Sequence, residues 1–365
     1  MAASPSQLDT QRLAQMFLAF DHDDGARVPL YGRICREMAA DRELLTIMEA
    51  APVGQRRPVL FLAALNREII RHGHDDAARW FPSVTASAVP SGDPWPSIEA
   101  FIRSHRSELE ATMSTRSTQT NEPNRSALWW PAVRAGCLDV SGQPTALVEL
   151  GCSAGLNLRF DSYRYDFGDG IERGHTNSRV ALSCDLRRGD PPLDAPLPAI
   201  TQRIGVDLEP VSSNDLDALE WLRACIWAEQ IERRNRFDAA VMEFGDEQPT
   251  MIRGDAVDEI ADVIEDLPAD HHVVIIHSWF LTYLHRDRRL ALDSIIDHHG
   301  SDRTITLISA EASGANVRFV DPGLPTDDPD EFRTIVGLSR WRQGVRDDRV
   351  IARCHAHLAW LDWLD

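Results

Sequence analysis

The residues most suited to chemistry lie in a glycine-rich turn near the middle of the chain, in the segment LVELGCSAGLNL. An apolar run of strand length precedes this turn and a helical pattern follows it, so the sequence predicts a strand, a tight turn and a helix. Small residues in such a turn let the backbone approach a ligand, and the first turn of a helix offers N–H groups to polar or negative groups. The segment therefore predicts a cradle for a nucleotide-type cofactor.

This turn resembles motif I of the class I S-adenosylmethionine-dependent methyltransferases, in which an acidic residue precedes a glycine-rich turn. By that resemblance Glu149 closes the strand, and Gly151 and Gly155 face the methionine part of the cofactor. Ser153 stands where the family usually has its middle glycine, and Asn157 follows in the predicted helix. The resemblance implies that all five residues contact S-adenosylmethionine.

The segment GCSAG also satisfies G-x-S-x-G, the nucleophile elbow of α/β-hydrolases. Ser153 would then be the nucleophile, with Asp255 as the acid and His277 or His355 as the base. A hydrolase elbow follows several earlier strands, whereas the preceding residues look helical, and Glu149 has no role in that mechanism. These two points favour the cofactor cradle. Tight packing of a strand against a helix, with no ligand at all, remains a third interpretation.

Two acidic residues farther along the chain extend the cofactor hypothesis. In a doubly wound sheet the second strand ends in an acid that binds the ribose hydroxyls, ~20 residues after the glycines. Asp207 has this place in the segment RIGVDLEP but lies about 50 residues after Gly155, so an insertion near 161–197 is required and Asp166 is the alternative. Asp255, in the segment GDA, resembles the methyltransferase residue that meets the adenine amino group. It equally suits the N-cap of the next helix.

An apolar run at residues 273–277 predicts a buried central strand. Its carboxyl end carries His277 and Ser278, and ligands bind at that edge of open α/β sheets. His277 is the candidate general base because imidazole titrates near neutral pH, although a lone histidine is more often structural. His355 and His357 lack a third nearby ligand, so no metal site is predicted.

Composition excludes several classes of function. The net charge of −19 argues against a nucleic-acid-binding surface, which needs clustered cations. All 38 basic residues are arginine, so the chain has no P-loop lysine and no Schiff-base lysine. The six cysteines form no C-x-x-C pair, the N-terminus does not read as a secretory signal, and no apolar stretch could span a bilayer. We expect a cytoplasmic protein that binds neither nucleic acid nor membrane.

The periodicity of apolar residues divides the chain near residue 138. Residues 1–138 have helical spacing and predict an all-helical N-terminal domain. Residues 139–365 alternate strand and helix patterns, which predicts a doubly wound, Rossmann-like α/β sheet of the methyltransferase type. Expected strands lie at 145–150, 180–184, 200–206, 239–244, 273–277 and 304–308, with weaker ones at 317–320, 334–338 and 350–352. Expected helices lie at 216–234, 257–265 and 286–298.

Several long segments together resemble DUF2332, an uncharacterised bacterial family. They are TQTNE with Arg125, ELGCSAGLNLRFDSYRYDFG, RIGVDLEPV, EWLRACIWAEQIERRNR and HAHLAW. The resemblance covers nearly the whole chain and implies a helical region followed by a methyltransferase-like domain. It also draws attention to Asn121, Glu122 and Arg125, as a substrate or cofactor contact or else an interdomain salt bridge, and to Tyr163, as a pocket wall or else packing.

These features predict a methyltransferase-like protein that binds S-adenosylmethionine and acts on a small molecule. Asn121, Glu122, Arg125, Tyr163 and Ser278 are the candidate substrate contacts. A serine hydrolase centred on Ser153 and a non-catalytic subunit of a biosynthetic complex are the alternatives. A protein partner or a homo-oligomer stays open.

Overall fold

The chain divides into two compact units. The computed structural model describes residues 9–85, 90–140, 142–244, 248–316, 318–319 and 333–365. The first unit combines Met1–Thr120 with Asp215–Asn235, and the second combines Asn121–Asn214 with Arg236–Asp365. This division differs from a single boundary at residue 138: residues 121–138 group with the second unit, and a later helical segment groups with the first.

Helices account for most of the first unit and part of the second. Of the described residues before 141, none is in a strand. None of the helices in the described part of the chain is long and apolar enough to cross a membrane. The helices are α1 (Thr10–Asp24), α2 (Pro29–Ala40), α3 (Arg42–Leu45), α4 (Pro58–Arg71), α5 (Trp95–Ser104), α6 (Arg106–Thr115), α7 (Ser126–Cys137), α8 (Leu216–Ala224), α9 (Ile231–Met242), α10 (Ala256–Asp266) and α11 (Arg286–Gly300).

The first unit has a continuous apolar core. Phe17, Tyr31 and Phe61 are fully buried in it, and Trp221 of α8 packs into the same cluster. The spacing of Leu13, Phe17 and Phe20 in α1 is the helical one, and all three are buried. Burial of this apolar face, more than the propensity of any one helix, stabilises such a bundle.

Strands in the second unit form a large sheet and a small one. They are β1 (Pro144–Leu150), β2 (Arg164–Asp166), β3 (Glu172–Gly174), β4 (Ala181–Ser183), β5 (Asp185–Arg188), β6 (Ala199–Asp207), β7 (Thr250–Arg253), β8 (His272–Ser278), β9 (Ile305–Ala312), β10 (Arg333–Arg342), β11 (Val345–His355) and β12 (Trp360–Trp363). The large sheet has the order β5-β12-β11-β10-β9-β8-β1-β6-β7, and β3-β2-β4 form the small one. The protein is thus a mixed α/β fold with a large, mostly parallel nine-stranded sheet.

The five strands β9, β8, β1, β6 and β7 are mutually parallel. The side of β1 on which successive strands are added changes along the chain. From β1 the chain passes to β6 and then β7 on one side, and then returns to place β8 and β9 on the other side of β1. Glu149 of β1 pairs in register with Ile276 of β8, so the carboxyl ends of these two strands lie side by side. Ligands of open α/β sheets bind at such a reversal.

Helices cover both faces of the parallel strands. On one face α10 and α11 share a core with Val148, Val273 and Ile275. On the other face lies α7, in which every residue is buried and Gly136 packs against Thr306 of β9. Because side chains alternate along a strand, Glu149 and Ser278 lie on the α7 face.

Most of the expected strands are present, with two exceptions among the strands and one among the helices. The strand expected at 239–244 was wrong, because α9 continues to Met242. Its residues AAVMEF are rich in Ala and Met, which favour helix, and contain one β-branched side chain. The strand expected at 317–320 lies partly outside the described residues. The single helix expected at 216–234 is divided into α8 and the start of α9.

Candidate functional site

The glycine-rich turn lies at the carboxyl end of β1, where the chain reverses. Gly151 and Gly155 have φ of 72° and 67°, and Ser153 has φ of 52°. The N–H of Gly151 donates to the carbonyl of Val206 at 2.8 Å. The N–H of Ser153 donates to Oδ2 of Asp207 at 2.9 Å. The turn is therefore fastened to the end of β6, which adjoins β1.

Both glycines are favoured by their positive φ, and packing is tight around each of them. A Cβ at Gly151 would lie 2.9 Å from Cδ2 of Phe280. A Cβ at Gly155 would lie 3.3 Å from Leu158 and 3.4 Å from the sulfur of Met251. The missing side chains therefore face protein atoms, and a ligand could meet this turn only along its solvent side.

The segment after the turn is a 3-10 helix, which corrects the expectation of an α-helix. Residues Leu156–Ser162 form it, with Arg159 in a non-helical conformation. Three of its carbonyl oxygens accept bonds from side chains instead of from N–H groups four residues later, and an α-helix needs those N–H bonds. The pairs are Leu156 with the Tyr163 hydroxyl at 2.6 Å, Leu158 with Arg203, and Phe160 with the Tyr165 hydroxyl.

Asp207 is the last residue of β6, the second parallel strand along the chain. Its Oδ1 accepts the N–H of Glu209 at 2.9 Å, and its Oδ2 accepts that of Ser153. A carboxylate has about four acceptor positions, so two remain for a ligand. Leu208 next to it is 67% exposed. An acid and an exposed apolar side chain thus lie together beside the turn.

The other two candidate acids have structural partners. Asp255 accepts the N–H of Val257 at 2.9 Å as the N-cap of α10, and Arg288 donates to the same oxygen at 2.9 Å. Its Oδ2 has no hydrogen-bond partner in the described part of the chain. Asp166 belongs to β2 of the small sheet, and its Oδ1 accepts the N–H of Gly168. Asp207, and not Asp166, therefore ends the strand beside β1.

Glu149 is buried, and only one of its two carboxyl oxygens has a hydrogen-bond partner among the described residues. Its Oε1 accepts from Nδ2 of Asn157 at 3.1 Å, and Asn157 is oriented by the hydroxyl of Ser126, which donates to its Oδ1 at 3.0 Å. Oε2 has no hydrogen-bond partner among the described residues. Burial raises the pKa of Glu149 to about 8, against the opposing effects of the Asn157 bond and the Arg125 charge. The carboxyl group is thus largely protonated near neutral pH.

A polar segment precedes α7 and lies at the same edge of the sheet. Nη1 of Arg125 donates to Oγ of Ser278 at 3.3 Å, and its Nε donates to the carbonyl of Ala356 at 3.1 Å. Oε1 of Glu122 accepts the N–H of Asn124 and lies 3.7 Å from Arg236. All of these contacts fall inside the second unit.

Two asparagines in this segment have buried groups without partners. Nδ2 of Asn121 and Oδ1 of Asn124 are buried and unbonded among the described residues. Asn124 was not predicted as a site residue, although its Nδ2 donates to three carbonyls, those of Ser183, His357 and Leu358. Its place in the NEPNR segment was the available signal.

His277 forms a buried pair with a carboxylate that the sequence analysis missed. Nδ1 of His277 lies 2.7 Å from Oε1 of Glu311, and the two residues are 2% and 0% exposed. Glu311 also accepts the N–H groups of Phe280 at 3.0 Å and Leu281 at 3.2 Å. His277 adjoins the α11 core, whereas Glu149 and Ser278 lie on the opposite face of the sheet. The structure therefore separates the candidate base from Glu149 and Ser278.

The remaining candidates have local roles. Tyr163 is fully buried with its hydroxyl bonded to a carbonyl, so packing and not a pocket wall describes it. Asp255 and His277 do not pair with each other, so this one of the two acid–base couples of the hydrolase hypothesis is not formed. Nδ1 of His355 accepts the N–H of His357. No group of three or more potential metal ligands occurs in the described part of the chain.

One family model covers almost the entire chain. It is described as "Uncharacterized protein conserved in bacteria (DUF2332)" and matches residues 14–363. The chain therefore belongs to the DUF2332 family, as its motifs indicated. A search of curated proteins returned no match.

Proposed function

We propose that this member of the DUF2332 family binds S-adenosylmethionine at the carboxyl ends of β1, β6 and β7 and methylates a small molecule. The order β7-β6-β1-β8-β9 supports this, because it is the 3-2-1-4-5 order of doubly wound, Rossmann-like sheets. In such sheets a nucleotide lies across the reversal, which here falls at β1 and β8.

The observation that carries the proposal is the bond between Asp207 and the glycine-rich turn. This bond holds Asp207, at the end of β6, beside the glycine-rich turn. Two acceptor positions of its carboxylate have no partner among the described residues. Vicinal hydroxyls of a ribose are donors that such a carboxylate can accept.

The residues at this edge fit the parts of the cofactor. Asp207 would hold the ribose, Leu208 would cover a face of the adenine ring, and Oδ2 of Asp255 would accept from its amino group. The unbonded Oε2 of Glu149 would accept from the amino group of the methionine part, whose positive charge would favour the ionised carboxylate over the protonated form. The roles of Glu149 and Asp255 use oxygens that have no hydrogen-bond partner among the described residues.

The bound cofactor supplies a methyl group on a positively charged sulfonium. The chain's own contribution is alignment, since methyl transfer depends mainly on how the acceptor and the methyl carbon are oriented. The acidic residues around the turn also favour a cationic ligand, and the net charge of −19 acts in the same direction.

Calorimetric titration with S-adenosylmethionine and S-adenosylhomocysteine tests the proposal. We expect saturable binding to the wild type and about tenfold or more weaker binding to Leu208→Asp, which places a charge against the adenine ring. Leu208 is chosen because it is exposed, whereas Asp207 also fastens the turn. Val345→Asp, at a site 70% exposed, is the matched control and should bind normally. No heat and no thermal shift at millimolar ligand would rule the proposal out.

The positive φ of Ser153 favours a second candidate, a serine hydrolase, because a nucleophile elbow has a strained serine. Covalent labelling by a fluorophosphonate that disappears in Ser153→Ala would support it. Absence of labelling in the folded wild type would exclude it.

A further inference from the structure

The turn that follows β8 is held by the last residues of β9. The N–H of Trp279 donates to the carbonyl of Ala310 at 2.9 Å. The next two N–H groups, those of Phe280 and Leu281, donate to Oε1 and Oε2 of Glu311 at 3.0 and 3.2 Å. Three consecutive N–H groups of the turn are thus bonded to two consecutive residues of a neighbouring strand. These bonds fix the backbone of the turn relative to the sheet.

Trp279 has a backbone conformation that these neighbours impose. Its φ is 54°, in the left-handed region that a bulky side chain rarely occupies. Such a conformation persists only where the surrounding structure over-determines it. Its indole Nε1 donates to Oγ1 of Thr334 on β10 at 2.9 Å, in addition to the bond from its N–H to β9. The turn therefore takes its conformation from β9 and β10.

His277 completes the surroundings of Glu311. Oε1 of Glu311 accepts the N–H of Phe280 and lies 2.7 Å from Nδ1 of His277. A carboxylate only accepts hydrogen bonds, so Nδ1 carries the proton. Glu311 is 0% exposed, and burying a carboxylate without such donors is costly. His277 therefore stabilises the carboxylate in the position from which it holds the turn.

Phe280 connects this turn to the glycine-rich turn. Its ring lies against Gly151, where a Cβ would come within 2.9 Å of Cδ2. The ring of His277 packs against that of Phe280 in a T-shaped arrangement, with ring centroids 5.8 Å apart. Gly151 is also bonded to β6, since its N–H donates to the carbonyl of Val206. Because β6 and β8 adjoin β1 on opposite sides, the glycine-rich turn is held from both of them.

We propose that Glu311 is a positioning residue for the cofactor edge: it holds Phe280 against Gly151 and so keeps the glycine-rich turn in the conformation that binds S-adenosylmethionine. His277 acts in the same role by donating to Glu311, and not as a general base. Glu311 lies on β9, two strands away from β1, so it acts through Phe280 and not by contact with the ligand. The inference rests on the proposed function in one respect only, that S-adenosylmethionine is the ligand of this turn.

Hydrogen exchange of the full chain without ligand, followed by mass spectrometry, tests the positioning. The reporters are the bonds that the N–H groups of Gly151 and Ser153 make to β6. In Phe280→Ala and in Glu311→Gln we expect exchange at residues 151–153 to rise about tenfold, because local opening becomes easier when packing or bonding partners are removed. Phe280→Leu keeps a large apolar side chain and should keep most of the protection.

Thr306→Val is the matched control. Thr306 is also a buried residue of β9, and its hydroxyl is bonded to Nε2 of His272 at 2.9 Å, but it lies near the amino end of the strand. The substitution removes a buried hydrogen bond far along β9 from Glu311. It should therefore lower the overall stability and leave exchange at residues 151–153 unchanged.

Calorimetric titration of the same variants with S-adenosylmethionine gives a second measurement. Glu311→Gln and Phe280→Ala should each weaken binding about tenfold, whereas Thr306→Val should bind as the wild type does. A merely structural role of Glu311 would lower the stability without separating Glu311→Gln from Thr306→Val in affinity.

Three results would overturn the inference. They are unchanged exchange at residues 151–153 in Glu311→Gln and Phe280→Ala, the same exchange in Thr306→Val as in Glu311→Gln, and equal affinity of Glu311→Gln and a wild type that binds the cofactor. If Glu311→Gln does not fold, Phe280→Ala decides, because Phe280 is only partly buried. Failure of the proposed function is distinguishable, because a wild type that binds no S-adenosylmethionine rules out the cofactor, whereas the exchange measurement needs no ligand.

Discussion

Glu149 shows how a single residue links the sequence motif to the physical state of the site. It closes β1 in the place of the motif's acidic residue, but its surroundings are those of a buried carboxyl group with one bonded oxygen. Arg125 and Asn157 offset only part of the cost of burying the charge, so its pKa rises from the ordinary 4.5 to about 8. At pH values between these two pKa values, Glu149 keeps its proton in the folded protein and has lost it in the unfolded chain.

The free energy of unfolding should therefore fall as pH rises through this window, because the folded state binds more protons there. Glu149→Gln keeps the acceptor for Asn157 and cannot ionise, so it should lose this dependence. Relative to the wild type it should gain up to several kcal/mol between pH 5 and pH 8.5, at ~1.4 kcal/mol per pKa unit. Urea unfolding at the two pH values measures the difference.

The exposed Glu265→Gln on α10 is the control and should leave the pH dependence unchanged. A Glu149→Gln protein whose stability follows that of the wild type at both pH values would contradict a raised pKa.

At the scale of elements, the 3-10 helix after the turn shows where sequence reasoning stops. The strand–turn–helix pattern predicted a helix after Gly155, but side chains of Tyr163, Tyr165 and Arg203 donate to its carbonyls instead. Arg203 lies in β6, so its effect depends on tertiary structure that the local sequence does not contain.

Tyr163→Phe should lower the free energy of unfolding by about 1 kcal/mol, since it removes a buried hydroxyl donor from the carbonyl of Leu156. Tyr283→Phe, at a tyrosine 77% exposed, should change stability by less than ~0.5 kcal/mol. Urea unfolding compares the two variants. Equal effects would mean that the Tyr163 bond does not support this segment.

The parallel strands β1, β8 and β9 were predictable because they are largely buried, apolar runs, as in VVIIH of β8. The short strands β2, β3, β5, β7 and β12 were not, since three or four residues leave no periodicity to read. At the site, Asp207 could be identified from its place at a strand end. The pairing of His277 with Glu311 could not, because it joins two strands 34 residues apart through side chains alone.

At the scale of the whole molecule, the helical unit is built from two separate stretches of chain. Asp217, at the start of α8, pairs with Arg67, Arg71 and Arg116 of that unit. Trp221, 3% exposed, lies in the same unit's core. Residues 121–214 lie between the two stretches and belong to the other unit.

A fragment of residues 9–120 should therefore lack part of its own core and fail to fold cooperatively. The same fragment joined to residues 215–235 by a flexible glycine–serine linker should fold, because Trp221 and Asp217 are restored. Thermal unfolding followed by circular dichroism compares the two, and Trp221→Ala in the joined fragment is the control for the core contact. A cooperative transition in the shorter fragment would contradict this view of the unit.

The divided helical unit also sets an order of events during synthesis. After Thr120 has been synthesised, the ribosome must add residues 121–214 before it reaches α8, which takes roughly 5 to 20 seconds at ~5–20 residues per second. During that interval the nascent helices expose the surface that Trp221 later covers. Chaperones that recognise exposed apolar segments on nascent chains should engage this protein at that stage and release it once residue 235 has left the exit tunnel.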